Sequence, residues 1–457
     1  MATPARTGGP ALGPQVERLL QGGTHTASQL MQALGVSQPT LSRTIQALAH
    51  TVTTFRIKGD RTPRYALLRA LPLGLAPRQR VYRVLASGHV LPFADVEFLA
   101  GGATLERAAH ATHPTRLYAG LPPYMAFAAP SGFLGRQQAQ QAARAPVFPS
   151  SLRDWNDDHR VAWLLTQGFN LPGNLVFGDV ALQREMDFKG AVPVPTAAKA
   201  AHYVAMASAL QVAAYGSSTG GEQPKFLSLA QDAGHVIVKF AQRSSRMAQL
   251  LMLEHLALGA LVHADVPAAR TQLLLEGDFV FLEVQRFDRV GATGRVGLLS
   301  AGAVDDEVFG LRDSWPAFAA RCVQARLLSV HSAQQVATLA AFSELVGNND
   351  RHFENLSLLL AEDGRYQGLA PAYDILPMRY APVGGGVEPE LLPLQPQVGS
   401  IGAQPPVWLR ASRAAQVFWR QAQQAMPAVP LSPEFRRLAA SNLLAVQRFV
   451  APLLPAA

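Results

Sequence analysis

At 457 residues, with 49% hydrophobic and 16% charged side chains, the chain is long enough for two to four domains with sizeable cores, and this composition excludes a disordered or collagen-like protein. A single cysteine, Cys322, excludes an intramolecular disulfide and a cysteine metal cluster; with no apolar run of about 18 residues and no basic-then-apolar leader, a cytoplasmic protein with no membrane partner is expected. Lys and Arg number 40 against 32 Asp and Glu, and most of that excess lies in residues 1–70, where eight basic side chains meet only Glu17 and Asp60, so a polyanion partner is expected for that piece and not for the whole.

Val16, Leu19 and Leu20 predict a first helix, and Thr26-Ala27-Ser28-Gln29 has the form of a capping box opening a second, which carries Leu30 and Leu34. Gly35 permits a sharp turn. Ser37 caps a third helix with Pro39 in its first turn, and Leu41, Ile45 and Leu48 recur at the spacing of one inward face. That leaves Gln38, Thr40, Arg43 and Thr44 outward, where a helix in the major groove reaches base edges or phosphates. Two strands, Thr51 to Ile57 and Tyr65 to Leu68, are joined by a basic loop carrying Lys58, Arg61 and Arg64. Residues 14–70 therefore read as a winged helix-turn-helix for duplex DNA, with protein contact as the alternative use of such a fold.

Leu71 to Pro77 reads as a short linker to a supporting lobe over 78–200. In that lobe Arg80 to Ala86 predicts a strand, Val96 to Ala109 is mixed, and Leu152 to Leu165 predicts an amphipathic helix leading into a turn and strand at Gly168 to Phe177. Asp157, Asp158 and His159 are expected as first-turn charges of a helix.

Residues 201–455 carry the chemistry. Gly216-Ser217-Ser218-Thr219-Gly220-Gly221-Glu222-Gln223-Pro224-Lys225 is a Gly-rich, hydroxyl-rich loop whose backbone amides can approach phosphate oxygens. It opens a β-hairpin, Phe226 to Ala230 and Val236 to Phe240, which a Walker A loop does not do. Lys239 stands on the second strand, where a kinase-type lysine reaches phosphates, and Glu254 on the following helix, Met247 to Leu261, is its candidate partner. Phe279 to Val284 then predicts a strand running into Gln285-Arg286-Phe287-Asp288-Arg289, where a kinase hinge would hold adenine. Ala317 to Val346 and Ser412 to Leu454 are helical in pattern.

The stretch Gly347-Asn348-Asn349-Asp350-Arg351-His352-Phe353-Glu354-Asn355 contains D-x-x-x-x-N, in which a carboxylate can face an incoming hydroxyl while an amide oxygen faces magnesium. A hairpin from Leu356 to Ala372, turning at Glu362 to Arg365, returns Asp374 beside Asn355. Each group alone reads as a cap, a surface pair or a solvated charge. Their order along the chain is the order a kinase fold needs. A kinase acting on small molecules shares the same parts, and an ATP-sensing transcription regulator is a third reading.

At these residues the chain resembles the HipA family of bacterial serine/threonine kinases, toxin components of type II toxin-antitoxin systems. The resemblance rests on Ser218-x-Gly220-Gly221-x-Gln223-x-Lys225, Val236-Ile237-Val238-Lys239, Gln285-Arg286-Phe287-Asp288-Arg289, Asn349-Asp350-Arg351-His352-x-x-Asn355 and Tyr373-Asp374-Ile375-Leu376. It spans about 75 to 455, and the winged helix-turn-helix in front is similar to the YjjJ (HipH) branch. The resemblance implies an α+β protein in which that DNA-binding unit precedes a two-lobed HipA-like kinase with a mainly α-helical C-terminal lobe, using ATP and Mg2+. By the same resemblance Asp350 is the catalytic base, Lys239 and Lys225 neutralise phosphates, and Asn355 and Asp374 bind magnesium. Ser218, Thr219, Gly220, Gly221, Glu222, Gln223, Gln285, Phe287 and His352 complete the nucleotide site, and Ser218 is the autophosphorylation site. The protein substrate it implies is a translation factor or aminoacyl-tRNA synthetase, with an antitoxin as a further partner. Gln285 departs from the family, where an acidic residue is common at the hinge.

Overall fold

The computed structural model describes residues 11–109, 115–214, 223–424 and 426–453. Its first elements are α1 (Leu12–Gln21), β1 (His25–Thr26), α2 (Ala27–Leu34), α3 (Gln38–Ala47), β2 (Val52–Phe55) and β3 (Arg64–Leu67). Val16, Leu20, Leu30, Leu41, Ile45 and Val52 close one small core. Thr26 forms the complete capping box with Gln29, and Gly35 takes the left-handed conformation that ends α2. Ser37 is the N-cap residue of α3, but its hydroxyl bonds the Thr40 hydroxyl at 3.0 Å and not the helix backbone. The three strands are antiparallel in the order β1-β3-β2.

This unit does not hang on a loose tether. The stretch after β3 runs directly into the next sheet, where the Arg69 N–H donates to the Phe98 carbonyl at 2.8 Å. Phe55, Ala66 and Leu68 share a core with Leu99 and Leu105, so apolar burial spans the junction. Arg107 donates to the Thr53 hydroxyl at 3.1 Å and the Thr54 carbonyl at 2.8 Å, Arg78 to the Ala49 carbonyl at 3.1 Å, and Arg69 pairs with Asp158 at 3.1 Å.

The second region holds β4 (Arg78–Val84), β5 (Val90–Phe98), β6 (Thr104–Ala108), β7 (Arg116–Tyr118), α4 (Pro123–Ala128), α5 (Gly132–Ala142), α6 (Asp157–Gln167), β8 (Leu175–Phe177) and α7 (Gly178–Lys189). Its antiparallel sheet has the order β7-β6-β5-β4-β8. Asp157 and Asp158 occupy the first turn of α6, and His159 completes a capping box with Asn156.

The third region begins with α8 (Lys199–Ala214), β9 (Lys225–Ala230), β10 (Gly234–Gln242), α9 (Arg246–Ala260), β11 (Thr271–Glu276) and β12 (Phe279–Gln285). The strands pair antiparallel as β11-β12-β10-β9. Strand periodicity sorts the two faces: Val236, Val238, Phe240, Phe279 and Phe281 pack with Tyr203 of α8, while Ala241, Val280, Leu282 and Val284 join the core that includes α9. Arg246–Ala264 is long and apolar enough to cross a membrane by length and composition, but it lies mostly buried between this sheet and a later helix.

There follow β13 (Arg289–Val290), β14 (Gly294–Arg295), β15 (Gly297–Ser300), α10 (Ala301–Val308), α11 (Trp315–Gln324), α12 (Val330–Val346), β16 (Ser357–Leu360), β17 (Tyr366–Leu369), α13 (Pro405–Gln423) and α14 (Pro433–Val450). The sheet β15-β16-β17 presents the turn after α12, and α11 to α14 form the helical end of the molecule. The whole is a mixed α and β fold.

Candidate active site

Period-two geometry decides where Lys239 points. Its neighbours Val238 and Phe240 face α8, so Lys239 faces α9, where Nζ donates to both Glu254 oxygens at 2.6 and 2.8 Å and to Oδ1 of Asp374. The ladder places Lys225 directly across from Lys239, so both lysines share that face. Lys239 and Glu254 are 5% and 1% exposed, which makes full pairing obligatory.

Burial alone would push the Lys239 ammonium down; Asp374 and Glu254 outweigh it and hold the group above its ordinary range. The two carboxylates divide. Burial pushes Glu254 up against the pull of Lys239, and it stays raised because almost none of it meets solvent. Burial also acts upward on Asp374, yet the charges of Lys239 and Lys225 hold it below the usual carboxylate range, helped by a side chain that keeps 30% exposure. Asp374 is thus the ionised oxygen pair of the site.

α12 ends at Gly347 in the left-handed conformation, φ 80°, and the chain turns into the loop that carries Asp350. Both peptide groups of Asp350 are held by side-chain amides: Asn348 Oδ1 accepts from its N–H, and Asn355 Nδ2 donates to its carbonyl, each at 3.0 Å. The Asp350 carboxylate itself is open, 45% exposed, with His352 Nε2 at 3.8 Å from one oxygen. His352 also lies 3.4 Å from Glu354, its carbonyl accepts from Trp315 Nε1 at 3.1 Å, and Arg351 is anchored on Glu344 at 2.9 Å.

Tyr373 completes the assembly. Its hydroxyl donates to the Glu354 carbonyl at 2.7 Å and accepts from Ser357 at 2.6 Å, tying the residue before Asp374 to the residue before Asn355. Asp374 sits at φ 54°, a conformation that Asp and Asn tolerate better than most side chains.

The structure thus brings Lys225, Lys239, Glu254, His352, Asp350, Asn355 and Asp374 to one region. Gln285 and Phe287 have other partners. The Gln285 N–H donates to the Arg270 carbonyl at 2.9 Å and its side chain to the Ala233 carbonyl at 3.1 Å, while Phe287 packs on Tyr373 with ring centroids 5.8 Å apart. Gln223 donates to the Phe240 carbonyl. Ser218, Thr219, Gly220, Gly221 and Glu222 lie outside the described residues. In the N-terminal unit Gln38, Arg43, Lys58 and Arg61 are exposed and Thr40 is half-buried; Arg64 is bound bidentately to Asp60, both bonds at 2.9 Å.

Two sets of motif residues have roles that the sequence did not reveal. Asn348 and Tyr373 position the loop, and the Asn-x-Asp spacing of an Asx turn was the available signal for the first. Arg286, Asp288 and Arg289 form a buried network with Asn170, Leu171 and Gly173, more than 110 positions away in the chain, which joins the second region to the third. Burial would raise Asp288, but Arg286 and Arg289 hold it far below the usual range.

Residues 75–186 match the family model of the YjjJ-like toxin middle domain, and residues 217–431 that of the HipA-like C-terminal domain. Toxin YjjJ of Escherichia coli (strain K12) is 33% identical over 414 residues, 88% of this chain and 91% of that protein. Among solved structures, a chain of the Shewanella oneidensis MR-1 toxin antitoxin complex of HipA, HipB and operator DNA aligns over 81% of this chain and 97% of its own, with TM-score 0.49 and 15% identity. The Helicobacter pylori proinflammatory kinase CtkA aligns over 49% of this chain and 90% of its own, with TM-score 0.35 and 11% identity. With a third of its residues shared along nearly the full length of Toxin YjjJ and both regional models matched, the chain belongs to the YjjJ-like family of HipA-like toxins.

Proposed function

We propose that this chain is an ATP- and Mg2+-dependent protein serine/threonine kinase that carries its own DNA-binding unit. The observation that carries the reading is the buried convergence of Lys239, Glu254 and Asp374 from a strand, a helix and a post-hairpin turn, with an open Asp350 carboxylate on the adjoining loop. A purely structural ion triad would leave Asp350 without a purpose. The donor set also fits a hard cation: Asn355 uses only its Nδ2 and Asp374 one oxygen, so one amide oxygen and one carboxylate oxygen are left for a ligand. Magnesium bound there would neutralise charge on the triphosphate.

The protein's own groups would do the rest. Lys239, held rigid by Glu254, and Lys225 beside it would receive phosphate oxygens; Asp350, its backbone clamped on both sides, would orient the acceptor hydroxyl and take its proton. Ser218 is the proposed site of self-modification, on the strength of the family resemblance and of its place in the loop that leads into Lys225. Exposed Gln38 and Arg43 on α3 and Lys58 and Arg61 in the β2–β3 loop support reading residues 14–70 as a winged helix-turn-helix on duplex DNA. Full-length protein incubated with ATP and Mg2+ should acquire phosphate on the 216–219 loop by mass spectrometry. Phosphorylation of a metabolite with none on any protein would refute the protein-kinase reading.

A further inference from the structure

Beside the loop that carries Asp350, the turn between α10 and α11 is held more tightly than an exposed connection needs to be. Asp305 is fully buried; one of its carboxylate oxygens accepts from the Leu311 N–H at 2.7 Å and the Arg312 N–H at 2.9 Å, and the other accepts from Arg321 at 3.1 Å. Its carbonyl accepts from the Phe309 and Gly310 N–H groups, each at 2.7 Å. These bonds hold Arg312 at φ 45°, a left-handed conformation that few side chains adopt without support. What the turn presents to solvent is apolar: Leu311 is 60% exposed, and Val308, three residues before it, 44%.

The turn is fastened to the Asp350 loop. Arg312 pairs with Glu354, Trp315 Nε1 donates to the His352 carbonyl at 3.1 Å, and Phe353 packs edge-on against Phe318 of α11 with ring centroids 5.5 Å apart. From the open Asp350 carboxylate the surface continues through His352, 3.8 Å from it, and Glu354, 3.4 Å from His352, to Arg312. That path is on the order of 10 Å, which about three residues of extended chain span. Charge is not what stays open along it. Asp306 and Glu354 are paired with Arg312, Asp305 and Asp313 with Arg321, and Glu307 with Arg116. Five acids against three arginines leave the surroundings net negative, which disfavours an acidic segment, while an apolar side chain finds free surface at Leu311 and Val308.

We propose that Leu311 and Val308 are the anchor for the acceptor polypeptide, a non-acidic segment that lays an apolar side chain on this turn when its hydroxyl reaches Asp350. The inference rests on the kinase reading and names the class of acceptor that reading leaves open. A turn fixed in advance suits such a role, because no loop has to be ordered when the acceptor binds. The two side chains act on binding and not on the chemical step, so they set KM for the acceptor.

An arrayed library of serine-centred peptides incubated with the full chain, ATP and Mg2+ tests the anchor, with phosphate on the 216–219 loop measured in the same reactions. Wild-type protein should favour an apolar residue within about four positions of the serine. Leu311→Ser and Val308→Ser, both at exposed positions, should raise KM for the preferred peptide about tenfold or more, as loss of a buried aliphatic contact does, with kcat and Tm nearly retained. Val387→Ser, 62% exposed on the segment before Glu388, should keep the wild-type KM. Equal KM in the wild type and both turn variants, a fall in kcat in place of a rise in KM, the same rise in Val387→Ser, or a phosphorylated loop with no phosphorylated peptide would each overturn the anchor while leaving phosphotransfer in place. No phosphate on loop or peptide would overturn the kinase reading, and the anchor with it.

Discussion

Lys239 is the side chain on which the site depends, because it is the counter-charge of two carboxylates, the buried Glu254 and the half-buried Asp374. Lys239→Met leaves Glu254 and Asp374 facing each other without it, and should cost about 3–5 kcal/mol in denaturant unfolding. Glu254→Gln leaves the Lys239–Asp374 pair intact and should cost less; equal costs would show that the triad is not organised around the lysine. The same triad sets a pH dependence. Burial acts upward on Asp374, but the Lys239 and Lys225 charges hold it below the ordinary carboxylate range in the folded protein, so its contribution to stability is present above that range and is lost as pH falls through the folded value. Asp374→Asn should therefore be less stable at neutral pH but should lose stability less steeply below about pH 4. Tm measured across that range checks it. The Lys239–Glu254 pair was legible in the sequence, because a lysine on the second strand of a hairpin and a glutamate on the following helix stand in the order that the proposed fold needs. The Arg286–Asp288–Arg289 network was not, since its partners Asn170 and Gly173 are set by the packing of one region on another. Gln285 looked like a hinge residue by position, and only the sheet register shows that its amide and side chain already have partners.

Among the elements, the loop that carries Asp350 is held by its entry. Gly347 combines positive φ with close contact to Leu394, so Gly347→Ala adds a left-handed penalty of roughly 1–2 kcal/mol to a steric one. We expect a lowered Tm and a larger fall in turnover, because the α12 end and the Asn348 clamp shift together. A variant with wild-type Tm and turnover would show that the turn does not position Asp350. Helices and hairpins were readable from capping boxes and alternation, as Thr26–Gln29 and the β9–β10 pair show. The stretch Val96 to Ala109 read as mixed because a two-glycine turn divides it; the structure shows the buried end of β5, Val96 to Phe98, continuing into it and β6 following with Thr104, Leu105 and Glu106 buried.

At the scale of the molecule, the N-terminal unit is built into its neighbour. The sequence suggested a short linker at Leu71 to Pro77, whereas Leu68 and Leu99 pair across the junction and Arg107 and Arg78 bond back onto residues 49–54. Charge and capping do not reveal such a seam, because its residues look like ordinary strand residues. Leu99→Ala, at 1% exposure, should cost about 2–5 kcal/mol and should loosen the N-terminal unit as well as the sheet. Proteolysis at the seam is the readout, and unchanged resistance there would argue against a shared core. DNA binding is accordingly best measured on the full chain. With Arg64 engaged by Asp60, the remaining Arg43, Arg56, Lys58 and Arg61 predict a log-log salt slope of about −3 to −4, and Arg61→Ala should flatten it.

The proposed kinase activity requires that this assembly transfer phosphate through Asp350. The most direct measurement compares wild-type and Asp350→Asn protein for ATP affinity and for phosphate transfer to protein in the presence of Mg2+. If Asp350 is the base, turnover in Asp350→Asn should fall by a factor on the order of 10² to 10⁴ with ATP affinity nearly unchanged, since the carboxylate would act on the hydroxyl and Lys239 and Lys225 on the nucleotide. Equal turnover in the two proteins would contradict it.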